Sequence, residues 1–117
     1  GLLHGMRVGS GYFDLLKTGK KSAELRVNDE KRRHIMPGDK IRFLSRADAA
    51  ATITRDVTKK FTAPNFQKLL QQLPVTALGG INEEVQLQEL KKIYSAEEET
   101  AWGVVAFILG GEQNDKG

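Results

Sequence analysis

Gly19-Lys20-Lys21-Ser22-Ala23-Glu24-Leu25-Arg26 is the stretch where the chain changes its period. On its N-terminal side Tyr12, Leu15 and Leu16 recur at i, i+3 and i+4, the stripe of a short helix. Ser10 is placed to cap that helix, since its side-chain oxygen can accept an N–H of the first turn. Gly19 ends it, as the residue that enters left-handed backbone most readily. From Ser22 to Val27 polar and apolar residues alternate, which is the period of a strand. Ala23, Leu25 and Val27 then face a core, and Ser22, Glu24 and Arg26 share the opposite face. Lys21 follows the turn and is presented near the helix end, so Lys21, Glu24 and Arg26 converge.

Three charged groups of mixed sign can do chemistry. A carboxylate between two cations stays ionised, and can accept a proton or orient water. Arg26 offers a planar fork for a phosphate or a base carbonyl. Lys21 supplies a point charge, or a nucleophile or base if desolvated. The competing reading is a salt-bridge cluster on an exposed sheet face, which adds little stability.

Outward from this stretch, Leu2 to Val8 reads as a strand, and Pro37-Gly38-Asp39 as a turn into a second alternation over Lys40 to Leu44. Asn28 to Arg33 reads as a charged loop. Ala50 to Val57 alternates again, with Ile53 and Val57 on one face. The second half turns helical. Pro64 suits a first turn, and Phe66, Leu69, Leu70 and Leu73 form an amphipathic stripe. A helix over about 83–94 follows the Gly79-Gly80 break, and Ser95 with Glu98 makes a capping-box pattern. Trp102 to Leu109 is nearly all apolar, so it reads as a buried strand. Alternation without regular βαβ spacing predicts an α+β domain. The expected form is a small β-barrel of about five to six mostly antiparallel strands with about three helices. One domain is expected over residues 1–109, with a flexible polar tail over 110–117.

The composition, 39% hydrophobic and 28% charged, is that of an ordinary globular domain. The absence of cysteine excludes disulfides, thiolate metal sites and cysteine nucleophiles, and fits a reducing cytoplasmic setting. No apolar run approaches the roughly 20 residues that span a bilayer, and no signal-peptide pattern is visible. Residues 1–60 hold 14 Lys/Arg against 7 Asp/Glu, while residues 61–117 hold 4 against 8. That asymmetry predicts a basic surface on one half, suited to a polyanion.

The pattern G-x-K-x-x-E-x-R, carried here by Gly19, Lys21, Glu24 and Arg26, resembles the signature of the ASCH family. Tyr12-Phe13-Asp14-Leu15-Leu16, Pro37-Gly38-Asp39-Lys40-Ile41 and Trp102-Gly103-Val104-Val105-Ala106-Phe107 resemble that family in the same order, so the likeness spans about residues 4–109. The resemblance implies a PUA-like barrel whose motif lines a cleft between barrel and helices. It also implies an RNA or modified-nucleoside partner. Some members look like enzymes: one small bacterial branch hydrolyses N4-acetylcytidine, and another has ribonuclease activity. Where the acetylcytidine branch carries a threonine nucleophile within the motif, this chain has Glu24, so that mechanism does not carry over whole. A water-mediated version would use Glu24 or Glu83 as base and Lys21 to stabilise the oxyanion.

The resemblance places Glu83 at the catalytic carboxylate of those hydrolases. Alone, Glu83 and Glu84 read as acids favoured by the dipole of a helix N-terminus. Tyr12 can stack on a base or pack in the core, and Trp102 can wall the cleft or fill the core. Lys20 and Ser22 flank Lys21, and Lys31-Arg32-Arg33-His34 is a basic stretch for phosphate contacts or for solvent. With two histidines and no HxH or HxxxH spacing, neither a metal nor a cofactor is expected. Three readings follow: an RNA- or nucleoside-binding module, a small amidohydrolase or ribonuclease, and a protein-interaction domain with no positive signal.

Overall fold

Val104–Gly110 (β5) is the strand on which the rest is assembled. Its residues alternate between two apolar clusters: Val105, Phe107 and Leu109 enter one, Val104 and Ala106 the other. A strand buried on both faces must sit inside a sheet, and β5 pairs antiparallel on both sides. One neighbour is Ala23–Val27 (β2), the other Thr52–Ala63 (β4). The computed structural model describes residues 1–111, and within them the sheet continues through Lys40–Ser45 (β3), antiparallel to β4, to Leu3–Val8 (β1), parallel to β3. The order β1-β3-β4-β5-β2 leaves β1 and β2 as the two edges of a curled, half-barrel sheet. The α+β class, the five strands and the mostly antiparallel pairing agree with the sequence reading.

The first cluster fills the curl. Met6, Phe43, Ile53 and Phe107 pack there against Phe13 and Leu16 of Ser10–Thr18 (α1). The second lies on the other side of β5 and β2. It is covered by Phe66–Leu70 (α3), a single 3₁₀ turn at Val75–Ala77, and Glu83–Ile93 (α4). Leu73, just past α3, is still buried there, so the predicted stripe holds although the helix stops sooner.

Several local expectations are corrected. Among the described residues there are five α-helices rather than about three: Ala96–Trp102 (α5) is the short helix that the capping box at Ser95 signals, and Glu30–Arg33 (α2) is added. Asp29 caps α2 by accepting from the Arg32 N–H, so part of the stretch read as a charged loop is one helical turn. Gly9, not Ser10, occupies the N-cap of α1, which has no side-chain cap. β4 runs six residues beyond Val57, through an irregularity between Val57 and Lys59 that resumes the ladder. The following helix is therefore capped by Asn65, whose side chain accepts from the Lys68 N–H, and Pro64 stays outside it. Gly110 still belongs to β5, and the remainder of the expected tail, 112–117, lies outside the described residues. Among the described residues no helix is long and apolar enough to cross a membrane.

Two polar anchors hold the curl. Arg55 lies between Ile53 and Val57 on the inward face of β4 and is buried. Its guanidinium donates to the carbonyls of Leu16 at the end of α1 (2.9 Å), Gly110 (3.0 Å) and Leu109 (3.3 Å). It thus ties α1 and the end of β5 to β4. Asp39 closes the turn before β3. Its carboxylate accepts from the Leu2 and Met36 N–H groups at 2.9 and 3.0 Å, and His4 Nε2 lies 2.8 Å away. These partners, His4 foremost, lower its pKa to about 2.

Arg55→Leu removes the charged donor from three carbonyls, and should destabilise the fold by about 3 kcal/mol in urea unfolding. Asp39, with its folded-state pKa depressed, contributes stability that is complete above the ordinary carboxylate value and lost as pH falls toward about 2. Asp39→Asn should therefore lower the urea midpoint at pH 6, and the gap to wild type should close progressively below about pH 4.

Candidate functional site

The backbone of Lys21 is fixed before its side chain is considered. Gly19 turns the chain out of α1 at φ 80°, the Lys21 N–H donates to the Leu15 carbonyl at 3.0 Å, and Lys21 forms a bridge with Leu78 beside the 3₁₀ turn. The ammonium then points along β2, where it donates to the Ala23 carbonyl and to Glu24 Oε1, the latter at 2.9 Å. Glu24 Oε2 accepts from Arg26 Nε at 2.9 Å. Arg26 spends Nη2 on the carbonyl of Arg7, at 2.9 Å, across the gap to the other edge strand.

This cluster is not on an exposed face. The Lys21, Glu24 and Arg26 side chains are 5, 8 and 12% exposed. Glu24 pairs with Phe107 and Arg26 with Val105 across the β2–β5 ladder, so both charged side chains share the face that looks into the curl. The alternation read from the sequence is right, and the face it assigns to the charges is the mouth of the half-barrel. Burial pushes the Glu24 pKa up, but the adjoining Lys21 and Arg26 charges and hydrogen bonds outweigh it and leave the value lowered. Burial likewise opposes the charge of Arg26, and Glu24 with Tyr94 more than restores it, raising its pKa.

Above the cluster is a cleft of about 330 Å³. Lys21, Glu24 and Arg26 line its floor, Tyr12 of α1 and Tyr94 after α4 stand in its walls, and α4 adds Gln86, Glu89, Leu90 and Ile93. Lys21 Nζ lies 5.7 Å from the centre of the Tyr12 ring, and Tyr94 stacks on Phe66 at 5.5 Å. Arg7, Arg26 and Arg46 belong both to this cleft and to an adjoining shallower groove, which Lys31 and Arg32 extend. The basic half of the sequence thus gathers six cations, Lys21 included, at one opening.

The family model of the ASCH domain matches residues 6–109. The chain belongs to the ASCH family. Among solved structures it is similar to the hypothetical protein PH0355, with 29% identity and TM-score 0.81, covering 95% of this chain and 98% of that one. It is also similar to protein PF0455 from Pyrococcus furiosus, with 28% identity and TM-score 0.71, covering 97% and 98%. An ASCH protein from Zymomonas mobilis shares the fold at 15% identity and TM-score 0.64, over 93% of this chain and 68% of that one. No protein with a curated description matches.

The residues singled out in the sequence divide into those that line the cleft or groove and those that do not. Lys21, Glu24, Arg26 and Tyr12 line the cleft, and Arg32 lines the groove. Gly19 serves the turn, Lys20 is exposed outside the cleft, and Ser22 sits between Ala77 and Leu109 through its backbone without lining it. Glu83 is exposed in the first turn of α4 and does not line the cleft, so its position there is that of an acid at a helix start. Arg33 and Trp102 leave the site together. The Arg33 guanidinium lies 5.3 Å over the Trp102 ring and donates to the carbonyls of Asn28 and Trp102. Trp102, 40% exposed at the end of α5, is neither in the core nor in the cleft wall.

Arg7, Arg46, Gln86, Glu89 and Tyr94 are cleft residues that the sequence reading passed over. Gln86 had a signal: it lies four residues before Leu90, on the same helical face. Arg7 and Arg46 had none, since only the parallel pairing of β1 with β3 brings them beside β2. Among the described residues no group of three acidic or histidine side chains gathers to hold a metal.

Glu24→Ala leaves two enclosed cations without their shared carboxylate. It should cost about 3–5 kcal/mol in chemical denaturation, several times the loss from removing the exposed Glu89–Lys92 pair.

Proposed function

We propose that this protein binds single-stranded RNA through one unpaired nucleotide, with the base in the cleft and the neighbouring phosphates in the groove. The observation that carries this reading is the continuity of the two depressions through Arg7, Arg26 and Arg46. An enclosed part with aromatic walls suits a base, which has two π-faces and polar edges. An open part lined by Arg7, Arg26, Lys31, Arg32 and Arg46 suits a phosphate chain. Lys21 and Arg26 keep donors near the floor, and Glu24 holds them in place. The small volume favours one nucleotide over a stacked run.

The hydrolytic reading is weaker. A general base works best with a proton affinity near the operating pH. The two cations drive Glu24 the other way, and Glu83 stands outside the cleft. Glu89 lines the cleft but also reaches Lys92 at 3.3 Å on the outer surface of α4.

Fluorescence anisotropy with a short labelled single-stranded RNA tests the binding. Affinity should fall steeply between 50 and 200 mM salt, with a log–log slope of about −0.7 per phosphate contact. Arg46→Ala and Arg7→Ala should each reduce that slope by about one contact. Lys21→Ala should abolish binding, and an equal duplex should bind more weakly. Absence of binding at low salt, or salt-independent binding, overturns the reading. Shortened RNA in the same samples would move the site to the hydrolase class.

A further inference from the structure

Gln86 is a buried polar side chain that the ion cluster does not use. It sits on the inner face of α4, one turn before Leu90, is only 6% exposed, and lines the cleft. Its backbone N–H closes the α4 ladder onto Asn82, and its side-chain amide forms no hydrogen bond with the described residues and is not among the fully enclosed side-chain groups without a partner. The amide thus meets solvent while the rest of the side chain is buried, and a polar group so nearly enclosed is best satisfied by a polar partner. Gln86 lines the cleft, so a partner for its amide belongs there.

The chemistry of that partner follows from the amide. A carboxamide places an acceptor oxygen beside a donor NH₂. Its complement is a planar edge with a donor next to an acceptor, and the hydrogen-bonding edges of nucleobases have that form. The carboxylate of the cleft floor is committed. Both Glu24 oxygens are held, one by Lys21 and one by Arg26, and Arg26 also closes onto Arg7. Gln86 is neutral, and so can discriminate between bases without attracting every anion.

We propose that Gln86 reads the hydrogen-bonding edge of the base in the cleft, which makes the ligand a nucleotide whose base edge is free of pairing partners and of blocking groups. This deepens the nucleotide-binding reading above and rests on it. A site built to hydrogen-bond a polar edge rejects analogues that lack it, because its own amide is then left unpaired. Arg7 and Arg46 at the lip take the phosphate and are indifferent to the base.

Isothermal titration calorimetry on wild type, Gln86→Leu and Arg46→Ala separates the two roles. The probes are the four ribonucleoside 5′-monophosphates and ribose 5-phosphate. Wild type should prefer at least one nucleotide to ribose 5-phosphate by roughly tenfold or more. Gln86→Leu should erase that preference and leave ribose 5-phosphate binding unchanged. Arg46→Ala should weaken all five probes alike. The Tm of Gln86→Leu should not fall below that of wild type, since no hydrogen bond within the fold is lost, whereas a structural role would lower it. The inference is overturned if Gln86→Leu keeps the wild-type preference, if it loses ribose 5-phosphate together with a lower Tm, or if wild type does not prefer any nucleotide. Only failure of wild type to bind any of the five would overturn the nucleotide reading as well.

Discussion

The carboxylate of Glu24 sits inside the mouth of a curled sheet, and much of the molecule is arranged so that it can stay charged there. A lone buried carboxylate is expensive, and this one has a cation on each oxygen: Lys21 on one, Arg26 on the other. Arg26 then reaches the Arg7 carbonyl on β1. β1 and β2 are the free edges of the sheet, so a guanidinium spans a seam that no backbone ladder closes. The motif is at once the floor of the cleft and the clasp of the half-barrel. That dual use explains why three charged residues can occupy one enclosed place, although ion pairs of this kind contribute little net stability by themselves.

The two apolar clusters hold the clasp in position. β5 divides them, sending alternate residues to each. On one side the curl is filled and tied to α1 by Arg55, whose donors meet carbonyls on α1 and β5. On the other side α3 and α4 cover β2, and α4 thereby brings Gln86 and Glu89 over the charged floor. The site is built on strand and helix rather than on long loops, so its polar groups are held by packing as well as by hydrogen bonds. The groove beside it has a different character. Its cations come from β1, β2, α2 and the turn after β3, and they converge because β1 lies parallel to β3 and Arg26 draws β2 toward β1.

Local rules carried a good deal of this. The shift from helical to strand period around Gly19 placed Lys21, Glu24 and Arg26 together, and the structure keeps them so. The capping box at Ser95 is formed as spaced. Local rules failed where a tertiary ladder decided the outcome. β4 outlasts its alternation because β5 offers partners as far as Ala63. Trp102, apolar and next to a buried strand, is left outside because α5 ends on it and Gly103 then turns the chain at φ 71°.

The sequence by itself determined the α+β class, the apolar faces of the alternating strands, the converging charged motif and the basic half of the chain. Each of these depends on residues a few positions apart, so backbone period and sequence spacing suffice. Only the tertiary structure decided that the charged face of β2 looks into the barrel mouth, that Arg7 and Arg46 stand beside it, that Gln86 hangs over it, and that Glu83 and Trp102 do not line the cleft. Those outcomes depend on how far the sheet curls and on which edge meets which. The packing of two clusters on opposite sides of one strand sets the curl, and no single stretch of chain contains it.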